Sequence, residues 1–242
     1  MAKYYRFIVT PIAEIMEETA LASCGVASGI ESYAISDYIF QTLFLKMTGS
    51  MEQKMKCICW DMATNDPEFR YKYLENIGKY GGGSSYDSKN FVYKHLIQQI
   101  QKEEENFNPI FFLKHTEIHS MALSAVVNAF NGSKVSTWNQ QHFDSFEDSF
   151  RDILTSGFGD TNLLNTPWIE VYKNLYDHRN RCAHNTPSYQ QNLPTLKQLA
   201  CKENKYENYY FRFGLLLLID YVFISLYEEY YKQLSIISLS WK

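Results

Sequence analysis

The chain has 242 residues, of which 45% are hydrophobic, 16% aromatic and 21% charged. This composition is typical of a globular protein and excludes collagenous, mainly disordered and disulfide-scaffold chains. The formal net charge of -4 excludes a global basic field that attracts nucleic acid, so any site for a polyanion must be local. Only 11 glycines and 6 prolines are present, which favours long helices over many short strands.

The cysteines and the most apolar stretch bear on the cellular compartment. Five cysteines are an odd number, and the first residues lack the apolar core of a secretory signal. We therefore expect a cytoplasmic protein. Residues 213–227 are strongly apolar, but the stretch is shorter than the roughly 20 residues that span a bilayer and contains Asp220. We interpret it as a buried helix and expect no membrane contact.

The first third of the chain predicts a short strand and then helices. Residues 4–9 have the pattern of a strand, which Pro11 ends. Residues 31–62 have helical periodicity with a break at Gly49-Ser50, so the pattern predicts a helical hairpin. A further short helix is predicted from Pro67 to about Gly78, because an aspartate and a proline supply its cap and first turn.

The glycine-rich segment 79–88 is the clearest punctuation in the sequence. It lacks the Lys-Ser/Thr that follows a phosphate-binding loop, so we interpret it as a plain loop. It divides the chain into an amino-terminal helical extension, residues 1–80, and a longer helical part, residues 86–242. The extension is either separate or part of the same bundle.

The carboxy-terminal part predicts helices throughout, and the fold class is all-α, a multi-helix bundle. These helices are predicted at about residues 91–105, 109–131, 145–156, 166–183, 194–201 and 206–242.

Two sets of metal-ligating residue types have weak spacing. His115 and His119 are four residues apart, but Glu117 is misplaced for a His-Glu-x-x-His site and a third ligand is not evident. Cys57 and Cys59 are one residue too close for a zinc knuckle. We expect ordinary packing or surface roles for all four side chains and no metal site.

Residues 166–189 are unlike the rest of the chain because positive side chains cluster near the end of a predicted helix. The helix dipole explains part of this clustering. It does not explain Arg179, which lies on the edge of the apolar stripe, four residues after Leu175 and three before Cys182. A guanidinium at such a position needs a partner or a task, since burying it unpaired costs several kcal/mol.

Helix geometry separates the polar side chains of this segment. At about 100° per residue, Asn180 and His184 share a face, whereas Arg179 points about 140° away from His184. Arg179 and His184 converge only if the helix frays between them or a second protomer contributes one of them.

The string Arg179-Asn180-Arg181-Cys182-Ala183-His184 resembles the Arg-Asn-x-x-x-His form of the Arg-x4-6-His signature of HEPN domains. These are all-helical modules of prokaryotic toxins, abortive-infection proteins and CRISPR-associated ribonucleases. The resemblance implies a HEPN-like domain over residues 86–242. It also implies a metal-independent, cofactor-free endoribonuclease of a defence or toxin system, with the active site in the cleft of a homodimer.

The resemblance also implies roles for individual residues. Arg179 binds the scissile phosphate, because a guanidinium fork matches phosphate oxygens. His184 moves protons and Asn180 orients His184 or a phosphate oxygen. Attack by the neighbouring 2'-hydroxyl leaves a 2',3'-cyclic phosphate. In this reading DNA resists cleavage.

Three further cations, Lys173, His178 and Arg181, are candidates for holding the RNA backbone, or they are solvated helix-end charges. An antitoxin or sensor is an expected partner besides RNA. Thr186 stands where toxins paired with nucleotidyltransferases carry a modified Tyr, which argues against that particular partner.

Two other interpretations stay open. The first is a HEPN-like module without catalysis that serves in dimerisation or RNA binding. The second is an unrelated helical protein in which Arg179 and His184 are ordinary helix-end residues.

Overall fold

The computed structural model of the chain describes residues 3–25, 32–156, 161–184 and 206–240. Within these ranges every regular element is helical, so the all-α prediction is confirmed. The α-helices are α1 (Tyr5–Val9), α2 (Ala13–Ala22), α3 (Ser32–Asn65), α4 (Pro67–Glu75), α5 (Ile77–Tyr80), α6 (Tyr86–Glu103), α7 (Pro109–Phe112), α8 (His115–Phe130), α9 (Gln140–Asp144), α10 (Phe146–Ser156), α11 (Thr166–His184) and α12 (Tyr209–Ser240). Short 3-10 segments lie at Ser23–Gly25 and Lys134–Asn139. The predicted helix at residues 194–201 lies outside the described ranges.

The predicted strand at residues 4–9 is wrong, because the segment forms helix α1. A lone strand leaves its backbone polar groups unpaired, whereas a helical turn bonds them internally. The Ile8 amide donates to the Tyr4 carbonyl at 3.0 Å, and the Ile8 side chain is fully buried. The short helix packs on α3 and α12.

The predicted hairpin at residues 31–62 is also wrong, because α3 runs unbroken for 34 residues through Gly49. A glycine inside a helix costs only about 1 kcal/mol relative to alanine. Packing outweighs that cost here, since Met47 and Met51 on either side are fully buried. Helix α3 contacts α2, α4, α6, α11 and α12 along its length.

The capped start of α4 is confirmed. The Asp66 carboxylate accepts hydrogen bonds from the backbone amides of Glu68 and Phe69, and Pro67 occupies the first turn. The helix ends at Glu75, earlier than predicted, and the short helix α5 follows it.

Helix α12 forms the centre of the bundle. It packs against α3, α6, α8, α10 and α1, and residues 215–219 are fully buried, as expected for a helix that is apolar on every side. Residues Tyr209–Ile236 are long and apolar enough to cross a membrane by length and composition, but 83% of the most apolar window is buried inside the protein. Residues 213–227, interpreted from the sequence as a buried helix, are therefore part of a buried helix in this structure.

The parts before and after the glycine-rich segment share one hydrophobic core. The segment itself packs on α3: Gly83 has a φ of +73° and lies so close that a Cβ would be 3.0 Å from the Glu52 carbonyl oxygen. The positive φ favours glycine, and the close approach leaves little room for a Cβ. The segment predicted to be a plain loop is therefore fixed against α3 and brings Ser84 to the site described below.

Candidate functional site

Helix α11 carries the residues singled out in the sequence, and its predicted extent is confirmed. Trp168, Tyr172, Leu175 and Cys182 are buried and recur at helical spacing, which holds the helix against the bundle. It contacts α3 and α6. The opposite side of α11 is exposed. Its polar residues reach solvent where no neighbouring helix covers them.

Arg179 lies at the boundary between core and solvent. Its side chain is 25% exposed, and Nη2 is 3.4 Å from Oε2 of Glu52 on α3. Its Nη1 donates to Oδ1 of the adjacent Asn180 at 3.2 Å. Glu52 is therefore the partner that we expected this guanidinium to need. Both contacts of Arg179 are long for charge-assisted hydrogen bonds.

Glu52 receives two further donors. Lys56 Nζ lies 2.6 Å from its Oε1, and the Ser84 hydroxyl donates to Oε2. Burial alone raises the pKa of this carboxyl, but the hydrogen bonds from Lys56 and Ser84 and the charges of Lys56 and Arg179 outweigh burial and lower it. Glu52 is therefore ionised at neutral pH and held by three donors.

A buried lysine holds the backbone beneath the site. Lys89 on α6 is 2% exposed, and its ammonium donates to the carbonyls of Gly83 at 2.8 Å and Ser84 at 3.0 Å. It lies 5.3 Å from the centroid of the Tyr172 ring, and the Tyr172 hydroxyl also donates to the Ser84 carbonyl, at 2.8 Å. Burial lowers the pKa of Lys89 to about 7.

A small pocket opens at Arg179. Its interior has room for about one water molecule. It can admit the end of one small polar group and not a complete nucleotide. Its lining consists of Thr48, Ser84, Lys89, Tyr172, Leu175, Tyr176, Arg179 and Leu216.

His184 is the last residue of α11 and is exposed. Because the helix continues without fraying from Arg179 to His184, the two side chains leave it about 140° apart. Asn180 bonds to Arg179. A single copy of the chain therefore does not direct Arg179 and His184 to one point.

The three candidates for holding an RNA backbone are placed differently. Lys173 is exposed and lies 3.5 Å from Glu170 on its own helix, and Arg181 is also exposed. His178 is buried and Nε2 lies 3.2 Å from the Tyr209 hydroxyl.

The expectation that His178 contacts RNA is therefore contradicted by its position. Burial, together with the positive charges of Arg212 and Arg181, lowers the pKa of His178 to about 3. Its ring also packs against Phe44, with centroids 5.4 Å apart. It is a neutral core residue.

The other singled-out residues serve in packing. His119 is buried and Nε2 lies 2.9 Å from the Phe150 carbonyl oxygen, while burial lowers the pKa of His115. Cys59 is buried, which raises the pKa of its thiol to about 12. Within the described ranges no three His, Cys, Asp or Glu side chains group to hold a metal ion.

The sequence interpretation missed Glu52, Lys56, Ser84 and Lys89. One signal for the first two was available, since Glu52 and Lys56 are four residues apart on a helix and can pair. Nothing local connects them to Arg179, which is 127 residues away from Glu52.

Comparison of the chain with protein-family models, curated proteins and solved structures finds no match. The function is therefore inferred from the residues of the site.

Proposed function

We propose that this protein is a metal-independent endoribonuclease of HEPN type that works as a homodimer in prokaryotic defence or as a toxin. One observation carries the proposal. Arg179 lines a small pocket and its side chain is partly exposed, on the same helix whose last residue is the exposed His184. The first can bind a phosphate and the second can exchange protons with a bound substrate.

The chemistry needs two groups around one ribose-phosphate linkage. A guanidinium presents five N–H donors in a rigid fork, and two hydrogen bonds engage Arg179 among the described residues. This fork of donors suits the charge that builds on a phosphate during attack by the 2'-hydroxyl. His184 can take the hydroxyl proton or supply one to the leaving oxygen.

The direction of the side chains calls for two protomers. Since Arg179 and His184 leave α11 about 140° apart, one protomer supplies the guanidinium and its partner the imidazole. A two-fold axis makes the arrangement reciprocal and creates two equivalent pairs. Lys173 and Arg181 lie exposed on the same helix and can contact RNA phosphates there.

The test is cleavage of RNA in the presence of a chelator. Wild type cleaves it and leaves 2',3'-cyclic phosphate ends, and an all-DNA strand stays intact. Arg179→Ala and His184→Ala each lose about 10²-fold or more. Arg151→Ala is the matched control, because Arg151 is an exposed arginine of α10 that pairs with Glu147. Equal cutting by all variants overturns the proposal.

Mixing the two inactive variants tests the composite site. Random pairing makes half of the dimers mixed, and each mixed dimer holds one intact Arg179–His184 pair across the interface. About one quarter of wild-type activity therefore returns. If the two residues act within one protomer, the mixture stays inactive.

A second candidate, a module for dimerisation or RNA binding without catalysis, is favoured by one observation. Arg179 already pairs with Glu52 of its own chain, a role that requires no chemistry. In that case the wild-type protein binds RNA without cutting it.

A further inference from the structure

The carboxylate of Glu52 is bound in the way that proteins bind an oxyanion. Arg179 Nη2 and the Ser84 hydroxyl both approach Oε2, and Lys56 Nζ approaches Oε1. A guanidinium, a hydroxyl and an ammonium are donors that commonly hold a phosphate. Glu52 thus fills a place that a phosphate oxygen can take on Arg179.

The contact between Glu52 and Arg179 is the loosest of the three. At 3.4 Å it is longer than the 2.6 Å between Glu52 and Lys56 and longer than the 2.7–2.9 Å typical of a charge-assisted hydrogen bond. The Arg179 side chain is 25% exposed. It can therefore exchange Glu52 for another anion while Lys56 and Ser84 keep the carboxylate satisfied.

The frame behind the pair is fixed. Lys89 and Tyr172 hold the Ser84 carbonyl, and Gly83 fits closely against α3. Ser84 therefore has little freedom to follow Arg179. The exchange involves only the half-buried ends of Glu52 and Arg179.

We propose that Glu52 is an internal competitor for the Arg179 phosphate subsite, so that a phosphodiester of single-stranded RNA must displace its carboxylate to bind. The assignment of RNA as the ligand rests on the proposed function. The contact is autoinhibitory: it lowers affinity for RNA and leaves Arg179 occupied in the free protein. If Glu52 instead held Arg179 in its productive orientation, neutralising Glu52 would weaken binding.

The test measures binding of an uncleavable 2'-O-methyl oligoribonucleotide. Glu52→Gln keeps the shape of the side chain and removes the competing charge, so we expect about fivefold tighter binding, which corresponds to ~1 kcal/mol. The matched control is Glu68→Gln on α4, which changes the net charge equally. Glu68 is exposed and pairs with Lys72, and its variant should stay within about twofold of wild type.

A double-mutant cycle assigns the gain to Arg179. In the Arg179→Ala background, Glu52→Gln should no longer tighten binding, because the competing pair is already absent. Unchanged or weaker binding by Glu52→Gln overturns the proposal. So does a gain that persists without Arg179.

A second variant covers the case in which Glu52→Gln fails to fold. Ser84→Ala removes a group that keeps the carboxylate satisfied once RNA has displaced it from Arg179, so binding should weaken by about twofold. Unchanged or tighter binding by this variant contradicts the proposal. Because the probe cannot be cleaved, the binding experiment tests the competition independently of ribonuclease activity. Arg179→Ala and His184→Ala test that activity.

Discussion

Two ion pairs join α3 to distant helices, and they differ in what they can do. Lys54 pairs with Asp220 on α12 at 2.7 Å, with side chains 2% and 0% exposed. Glu52 pairs with Arg179 on α11 at 3.4 Å, with side chains 18% and 25% exposed. The members on α3, Glu52 and Lys54, are only two positions apart, so the helices packed around them make the difference.

In the inner pair, Lys54–Asp220, groups of the protein itself supply the hydrogen-bond partners of both charges. Lys54 Nζ also donates to the Thr10 carbonyl at 2.6 Å, and Oδ2 of Asp220 accepts from the Ile12 amide at 2.8 Å. Burial raises the pKa of Asp220 and lowers that of Lys54, and each partner's charge opposes the change. The pair ties the connection between α1 and α2 to the centre of the bundle.

In the outer pair, Glu52–Arg179, the arginine lines the pocket and both side chains are partly exposed to solvent. Each member can find another partner without leaving a charge buried, since Glu52 retains Lys56 and Ser84. A buried pair resists exchange because either charge alone is costly, whereas a partly exposed pair has water as an alternative partner. The inner pair therefore serves the fold, and the outer pair is the one on which the proposed function depends.

The largest expected effect comes from breaking the inner pair. Asp220→Ala leaves the Lys54 charge buried and should lower the free energy of unfolding by about 3–5 kcal/mol. Urea denaturation followed by circular dichroism measures the change. The double variant Lys54→Met/Asp220→Leu should recover most of the loss, because it removes both charges and restores apolar volume. A loss below about 1 kcal/mol in Asp220→Ala would contradict the assignment.

Lys89 is a buried cation like Lys54, but its hydrogen bonds go to backbone carbonyls and not to a carboxylate. Its pKa of about 7 in the folded protein lies below the unfolded value of roughly 10.4. The protonated form is therefore penalised in the fold. This penalty is fully present below pH ~7 and is relieved as the pH rises toward ~10.

The measurement is the free energy of unfolding of wild type and of Lys89→Met between pH ~6.5 and ~9. The difference between them should shift in favour of wild type by up to about 1.4 kcal/mol per pH unit above pH ~7. Taking the difference cancels the contributions of the other titrating groups to the pH dependence. Parallel curves would show that the folded protein keeps Lys89 protonated throughout this range.

The smallest effect is expected at the outer pair. Arg179→Gln should lower the free energy of unfolding by less than about 1 kcal/mol, because water and Lys56 replace the lost contact. Urea denaturation under the same conditions measures it, and Arg151→Gln serves as the control on an exposed pair. A loss of 3 kcal/mol or more would make Arg179 a structural residue like Lys54 and remove the distinction between the two pairs.

The sequence by itself determined the elements whose signals are local. The cap at Asp66 and the apolar stripe of α11 predicted their helices, because a cap or a stripe acts within a few residues. For the same reason the sequence ordered Arg179, Asn180 and His184 along one helix. It also predicted that Arg179 needs a partner and that Arg179 and His184 diverge within one chain.

The tertiary structure alone decided what local signals leave open. It kept α3 continuous through Gly49, because buried neighbours outweigh a cost of about 1 kcal/mol. It turned His178 into the core, where Phe44 and Tyr209 surround it. It brought Glu52, from 127 residues away, to Arg179. Which face of a helix is buried, and which charge meets which, depends on the packing of distant helices, and a sequence pattern does not encode such packing locally.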